Sequence, residues 1–318
     1  MEPNSIGTRN QSFVTGFVIL GFKDFPEMQL PLFLLFSLLY LMAVFGNLLI
    51  ICIVCADRNL HTPMYFFLAN LSVIDIGSLT NIIPELLVVL LTNNSNISFS
   101  GCILQMYCYI VSVVIEFLLL TVMAYDRYMA ICNPLHYAMI MNKRVCALLA
   151  AAAWITGFLE ILPYAIIISQ FSFCHSNIIS HFFCEITALL KLSCTDIMII
   201  QYMTYIEGVI VSIIPFLLTL ISYIFIISTI LKIRSTKGKS KAFSTCSSHL
   251  MVFILLYGTL IGMYLQPDTW DSKNSNKLPN AIYIVTLPLL NPLIYSLRSK
   301  ELRVALKKAI NRKLKFMS

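Results

Sequence analysis

Charge is scarce in this sequence. Asp, Glu, Lys and Arg make up only 12% of 318 residues while hydrophobic residues make up 58%, and a water-soluble chain so composed would expose more apolar surface than one core could hide. Most of the chain is therefore expected to lie in a bilayer. Before residue 30 there is no short apolar stretch ending in a small-residue cleavage site, so the first long apolar window is expected to serve as an uncleaved signal anchor. Neither HExxH nor a Ser and His pair at suitable depth occurs, which argues against an intramembrane enzyme. No aromatic-basic motif points to nucleic acid. Repeats, low-complexity tracts and paired broken helices in matching halves are also missing, and the last of these absences argues against a transporter.

What is present is a series of apolar windows of the roughly 20 residues needed to cross a bilayer. They lie at 30–55, 61–91, 102–124, 146–168, 197–231, 242–265 and 280–297. An all-α bundle of seven spanning helices follows, with residues 1–29 as an outer segment, 30–297 as the membrane domain and 298–318 as an inner tail. Charge sets the orientation, because Lys and Arg accumulate on the cytosolic side. With the amino terminus outside, only Arg9, Lys23, Lys191, Lys273 and Lys277 of the 22 Lys and Arg fall on outer segments. The net charge of +7 thus reads as topology and attraction to anionic membrane lipid. In the tail, Leu302, Leu306, Ile310 and Leu314 recur every four residues among Lys and Arg, the pattern of a short amphipathic helix on the inner leaflet. The tail carries no cysteine, which excludes palmitoylation there.

Of the ten cysteines, Cys102, Cys174, Cys184 and Cys194 fall on outer segments, where an oxidising compartment permits disulfides. Four cysteines allow three pairings, and spacing does not choose among them. The 10-residue intervals between Cys174, Cys184 and Cys194 match no zinc pattern. Of the Asn-X-Ser/Thr triplets, Asn70 falls inside a span and Asn93 and Asn96 close to the bilayer, which leaves Asn10 as the expected glycan acceptor.

Ionisable groups inside a bilayer need partners or a wet cavity. On the third span Gln105, Tyr109, Ser112, Glu116, Leu120 and Arg127 follow one another at helical spacing and share a face that should look into the bundle. Asp75 in the second span and Asn291 in the seventh sit at a depth similar to Glu116. The three could surround a cavity for water or a hydrated cation, or form interhelical hydrogen bonds without an ion. Pro292 should kink the seventh span beside them. Asp126, Arg127 and Tyr128 close the third span at its cytosolic end, where Arg127 can pair with Asp126 or reach another helix. Such an exchange of partners would couple outside to inside.

Five strings resemble a known family: Gly46-Asn47, LHTPMYFFLANLSVID at 60–75, MAYDRYMAICNPLHY at 123–137, KAFSTCSSHL at 241–250 and PLLNPLIYSLR at 288–298. In order along the whole chain, they look like an odorant receptor of the tetrapod, airborne-odorant class, with mild departures at Met129, Leu289 and Ser299. The resemblance implies a rhodopsin-like, G-protein-coupled fold, a small volatile odorant, and a heterotrimeric stimulatory olfactory-type G protein that raises cyclic AMP. It places the receptor in the plasma membrane, in cilia of olfactory sensory neurons. It also implies the pairs Cys102–Cys184 and Cys174–Cys194, and carries a sodium-type cation site onto Asp75, Glu116 and Asn291, with no other cofactor. The switch becomes Asp126, Arg127 and Tyr128.

Upper-bundle positions Tyr109, Ile110, Val113 and Val114 on the third span, Glu207 on the fifth, Tyr257 and Thr259 on the sixth and Tyr283 on the seventh are expected to line an apolar pocket with a few hydroxyls. Tyr109 stands where amine-binding relatives of the fold carry an acid, so a neutral, modestly polar ligand is expected. A transporter or channel using the buried acids, or a related receptor for a non-volatile ligand, are the alternatives.

Overall fold

A computed structural model describes residues 15–23, 25–92, 95–174, 176–264, 277–299 and 301–308. Seven long helices form the body: α1 (Gln29–Ala56), α2 (Pro63–Thr92), α3 (Phe99–Cys132), α5 (Lys143–Ser169), α7 (Met198–Lys232), α8 (Thr236–Tyr264) and α9 (Lys277–Arg298). Two short helices, α4 (Pro134–Ile140) and α6 (Ile186–Leu192), sit at opposite ends. Five of the long helices are long and apolar enough throughout to cross a membrane, and α8 and α9 contain shorter apolar stretches, Cys246–Leu260 and Asn280–Tyr295. Their outer faces are not polar. On α1, Leu34, Leu38, Leu41, Phe45 and Leu48 are exposed while Phe36, Ala43, Asn47 and Ile50 are buried, the inverse of a soluble amphipathic helix and suited to hydrocarbon.

The helices begin and bend where side chains dictate. Ser98 caps α3 by accepting from the Gly101 amide, and Asn142 caps α5 by accepting from the amides of Arg144 and Val145. Proline lies within α2 (Pro84), α5 (Pro163), α7 (Pro215) and α9 (Pro288 and Pro292). Pro292 has no amide to give the carbonyl four residues earlier. Asn47 on α1 donates to that Pro288 carbonyl at 2.8 Å, as well as to Ala43 O. A Cβ at Gly46, one position earlier, would lie 3.1 Å from Pro292 Cβ. The Gly-Asn pair thus lets α1 approach the broken turn of α9 and satisfy it.

Tight approach also joins α3 and α5. A Cβ on Gly157 would meet Ile115 Cγ1 at 2.5 Å and the Val111 carbonyl at 3.3 Å. Trp154, one turn away, donates from Nε1 to Asn70 Oδ1 of α2 at 3.1 Å, so Asn70 is spent on packing.

One end of the bundle, here the upper end, carries a three-stranded sheet that the apolar windows did not signal. Its centre is β1 (Gly16–Ile19), antiparallel to β2 (Asn96–Ser98) and parallel to β3 (Ile178–Ile179). Phe17 and Ile19 are fully buried among Cys102, Phe173, Ile179, Leu189 and Ile200. Cys102 is bonded to Cys184 and Cys174 to Cys194, with Cα separations of 5.4 and 5.8 Å. The loop is further pinned where Gln105 Oε1 accepts from the Cys184 amide at 2.9 Å.

Candidate functional site

Three constellations lie along α3 from its upper to its lower end. The first is a cavity of about 540 Å³ between α3, α5, α7 and α8, with Ile186 of α6 at its roof. Ile110, Val113, Val114 and Phe117 form one wall, an arc of α3 created by their helical spacing. Thr204, Glu207, Gly208 and Val211 recur at three- and four-residue steps on α7 and form the opposite wall. Ile161 and Tyr164 of α5 and Tyr257 and Leu260 of α8 close the sides. Most of the lining is aliphatic or aromatic, and its polar groups are largely engaged. Tyr257 donates to the Ser212 carbonyl at 3.1 Å, Ser212 to the Gly208 carbonyl at 2.6 Å, and the Tyr164 hydroxyl to Glu207. The Thr204 hydroxyl is buried without a hydrogen-bond partner among the described residues.

Of the positions expected to line a pocket, Ile110, Val113, Val114, Glu207 and Tyr257 face this cavity. Tyr109 does not. It lies about 40° outside the arc of its neighbours, at roughly 100° per residue, and its ring meets Phe183 edge-on at 5.0 Å, toward the α1–α2–α9 side. Thr259 is also turned away, donating to the Leu255 and Leu256 carbonyls of its own helix. The Tyr283 side chain lies outside the described residues, as does Asn10. The residues missed, Phe117, Thr204 and Ser212 among them, continue the same two periodic faces and were open to detection on that ground.

Below the cavity, α2, α3 and α9 bring together Asp75, Glu116 and Asn291. Asn291 Nδ2 donates to Asp75 Oδ2 at 2.9 Å, both residues being 1% exposed. Glu116 lies within electrostatic reach of Asp75. Glu116 Oε1, Asn291 Oδ1 and the Tyr295 hydroxyl are buried without hydrogen-bond partners among the described residues. Such groups are costly unless something fills the gap between them, and unpartnered oxygens beside carboxylates are the donor set of a hard cation.

At the lower end Asp126 and Arg127 are buried, and α3 runs past them to Cys132 instead of stopping near residue 124. Arg127 donates to Asp126 Oδ2 from Nε at 2.9 Å and from a terminal guanidinium nitrogen. Tyr137 of α4 donates to the other oxygen, Oδ1, at 2.8 Å. Burial, then the adjacent Asp126 carboxylate, holds the Tyr137 phenol well above its usual range. The two charges neutralise each other, which is how a helix can carry them onward. Tyr128 turns instead to Phe225 of α7, 6.0 Å away. Nearby, His249 of α8 ties three helices through one ring: it pairs with the Leu120 carbonyl at 2.9 Å and the Tyr223 hydroxyl at 2.8 Å. His249 stands inside the KAFSTCSSHL string and was not singled out.

Comparison with known proteins agrees with the strings and the bundle. The olfactory receptor family profile matches residues 36–313. The chain is 46% identical to Olfactory receptor 1S1 of Homo sapiens, over 96% of this chain and 94% of that one. It is also 46% identical to Olfactory receptor 1F1 of Homo sapiens and to Olfactory receptor 2B6 of Mus musculus, each over 95% of this chain and 97% of the relative. A family match of that extent, over a helical bundle with multiple apolar spans, makes the chain a multi-pass, G-protein-coupled membrane protein and not an enzyme: it belongs to the olfactory receptor family.

Proposed function

We propose that this receptor binds a small, neutral, volatile odorant in the cavity between α3, α5, α7 and α8 and activates a stimulatory olfactory-type G protein, raising cyclic AMP. The observation that carries this reading is the cavity itself: about 540 Å³, predominantly apolar, with few polar groups left to be satisfied. The upper end, with the sheet and both disulfides, faces outside, and Arg127 faces the cytosol of the olfactory cilium. Support for this orientation comes from the Lys and Arg that crowd the lower loops and tail. Residues 301–308 are helical, with Leu302 and Ala305 buried and Arg303, Lys307 and Lys308 exposed, which suits a tail helix lying on the inner leaflet.

Asp75, Glu116 and Asn291 would hold a sodium ion, whose charge would offset the two carboxyls when bound. In the described arrangement Arg127 is held by Asp126 and Tyr137, the geometry of a resting state. Release of that clamp would free the guanidinium for the G protein. The test is expression of the full chain with the olfactory G protein, followed by a screen of several hundred volatiles for cyclic AMP. Concentration-dependent responses lost in Arg127→Ala support the reading. A response to peptides alone, or to volatiles through ion flux without cyclic AMP, refutes it.

A further inference from the structure

Two of the polar groups facing the cavity, Thr204 and Glu207, form one corner, and the inventory of that corner specifies a ligand class. Thr204 and Glu207 are three residues apart on α7 and both line the cavity, so their side chains project from one face of the helix. Every other lining hydroxyl is already a donor to a protein group. Tyr164 gives its proton to Glu207, Tyr257 to the Ser212 carbonyl and Ser212 to the Gly208 carbonyl. Among the described residues the Thr204 hydroxyl has no partner although its oxygen is buried. A buried, unpaired hydroxyl is costly where water does not reach it, so the corner lacks a group that accepts from Thr204. Glu207 can accept beyond its bond from Tyr164, because a carboxylate has about four lone-pair sites.

We infer that the corner of Thr204 and Glu207 is a hydroxyl-recognition subsite, and that the receptor is selective for alcohols or phenols carrying an apolar body. This rests on the odorant-receptor reading above and narrows its ligand. A ligand hydroxyl donates to the Glu207 carboxyl and accepts from the Thr204 hydroxyl, using one donor and one acceptor where the wall provides one of each. An ether or ketone accepts from Thr204 but gives Glu207 nothing. An ammonium brings three donors and strong hydration into a predominantly aliphatic and aromatic cavity, and cannot accept from Thr204. The remaining wall, including Val113, Val114, Phe117, Val211 and Phe216, takes the hydrocarbon.

The test uses the full receptor in the cyclic AMP assay with sets matched in carbon skeleton: a primary alcohol, its methyl ether, the ketone and the amine, on octyl and phenylethyl bodies. Alcohols are expected to be at least about tenfold more potent than the matched ethers, the value of one well-made hydrogen bond to an ionisable group. Thr204→Val is expected to lower the potency of alcohol and ether alike, about tenfold, and Glu207→Gln to lower alcohol potency about tenfold while leaving the weaker ether response unchanged, with surface expression as the check on folding. Equal potency of alcohol and ether, or a preferred amine, overturns the subsite but leaves the odorant reading standing. Alcohol responses unmoved by either substitution also overturn it. Silence to every volatile tested, with the receptor at the surface, overturns both.

Discussion

Replacing Tyr137 with Phe removes one hydroxyl from the lower clamp and keeps the ring. That hydroxyl donates to Asp126 Oδ1 at 2.8 Å, and the other carboxylate oxygen already serves Arg127. A hydrogen bond to a buried charged group is worth about 1.5 to 3 kcal/mol. If the bond exists only while Arg127 is clamped, its loss shifts the resting-to-active ratio by about 10- to 150-fold. A receptor active about 0.1% of the time without ligand would then be active about 1 to 13% of the time. The expected result is an elevation of basal cyclic AMP of about tenfold or more, normalised to receptor at the surface, with the maximal response to agonist preserved. Asp126→Asn should raise basal signalling further because it loosens both partners, and adding Tyr137→Phe to it should change little, since the carboxylate they share is gone. Unchanged basal signalling in Tyr137→Phe, at normal surface expression, would show that the bond persists in the active state and would refute the clamp.

Gly157→Ala should destabilise the detergent-solubilised receptor by about 1 to 3 kcal/mol through overpacking against Ile115, and Ile115→Ala in the same chain should restore the lost thermal stability; no rescue would mean that the contact does not limit the approach of α3 and α5. His249→Leu removes the ring's bonds to the Leu120 carbonyl and the Tyr223 hydroxyl and leaves that hydroxyl only the Cys246 carbonyl at 3.3 Å, so the unfolding temperature should fall by an amount corresponding to about 1 to 3 kcal/mol, and an unchanged melt contradicts this. Cys102→Ser opens a loop of 82 residues, worth roughly 4 kcal/mol of chain entropy, and should abolish surface expression as measured by antibody on intact cells. Exchanging sodium for choline should raise basal cyclic AMP, and Asp75→Asn should erase the difference between the two salts; equal basal values in the parent receptor count against a cation at Asp75, Glu116 and Asn291.

Five of the spans were legible because each holds apolar residues over a length that only a membrane or a large core requires, whereas the apolar stretches of α8 and α9 are shorter and their place as spans follows from the family. The meeting of Asp75 and Asn291 was also legible, since two polar groups at one depth of a bilayer have few partners besides each other. The end of α3 was misjudged because Asp126 and Arg127 were counted as charges, whereas the fold presents them as a neutral pair completed by Tyr137, eleven positions on. Tyr109 was misplaced by the width of a helical arc: spacing assigns a face, but the edge of a cavity is set by what the neighbouring helices bring. Thr259 shows the same limit, with its hydroxyl absorbed by its own backbone. The disulfide pairs came from family resemblance alone, and the sheet was invisible because strands of four, three and two residues carry too little pattern to register.

That sheet also bears on the order in which the chain is completed. Strand β1 is made first, yet its partners are Asn96–Ser98 and Ile178–Ile179, so the first partner appears only after two long helices and the second only after four. Its pairing with β3 closes contacts separated by about half the chain, the kind of long-range closure that comes late in folding. A Cβ at Gly16 would come within 2.7 Å of the Ile97 carbonyl, which leaves little tolerance in the pairing with β2. The strand thus acts as a latch across the upper end of the bundle, and a receptor whose latch fails would present Phe17 and Ile19, and the pocket that receives them, to the quality-control machinery that decides which copies reach the surface.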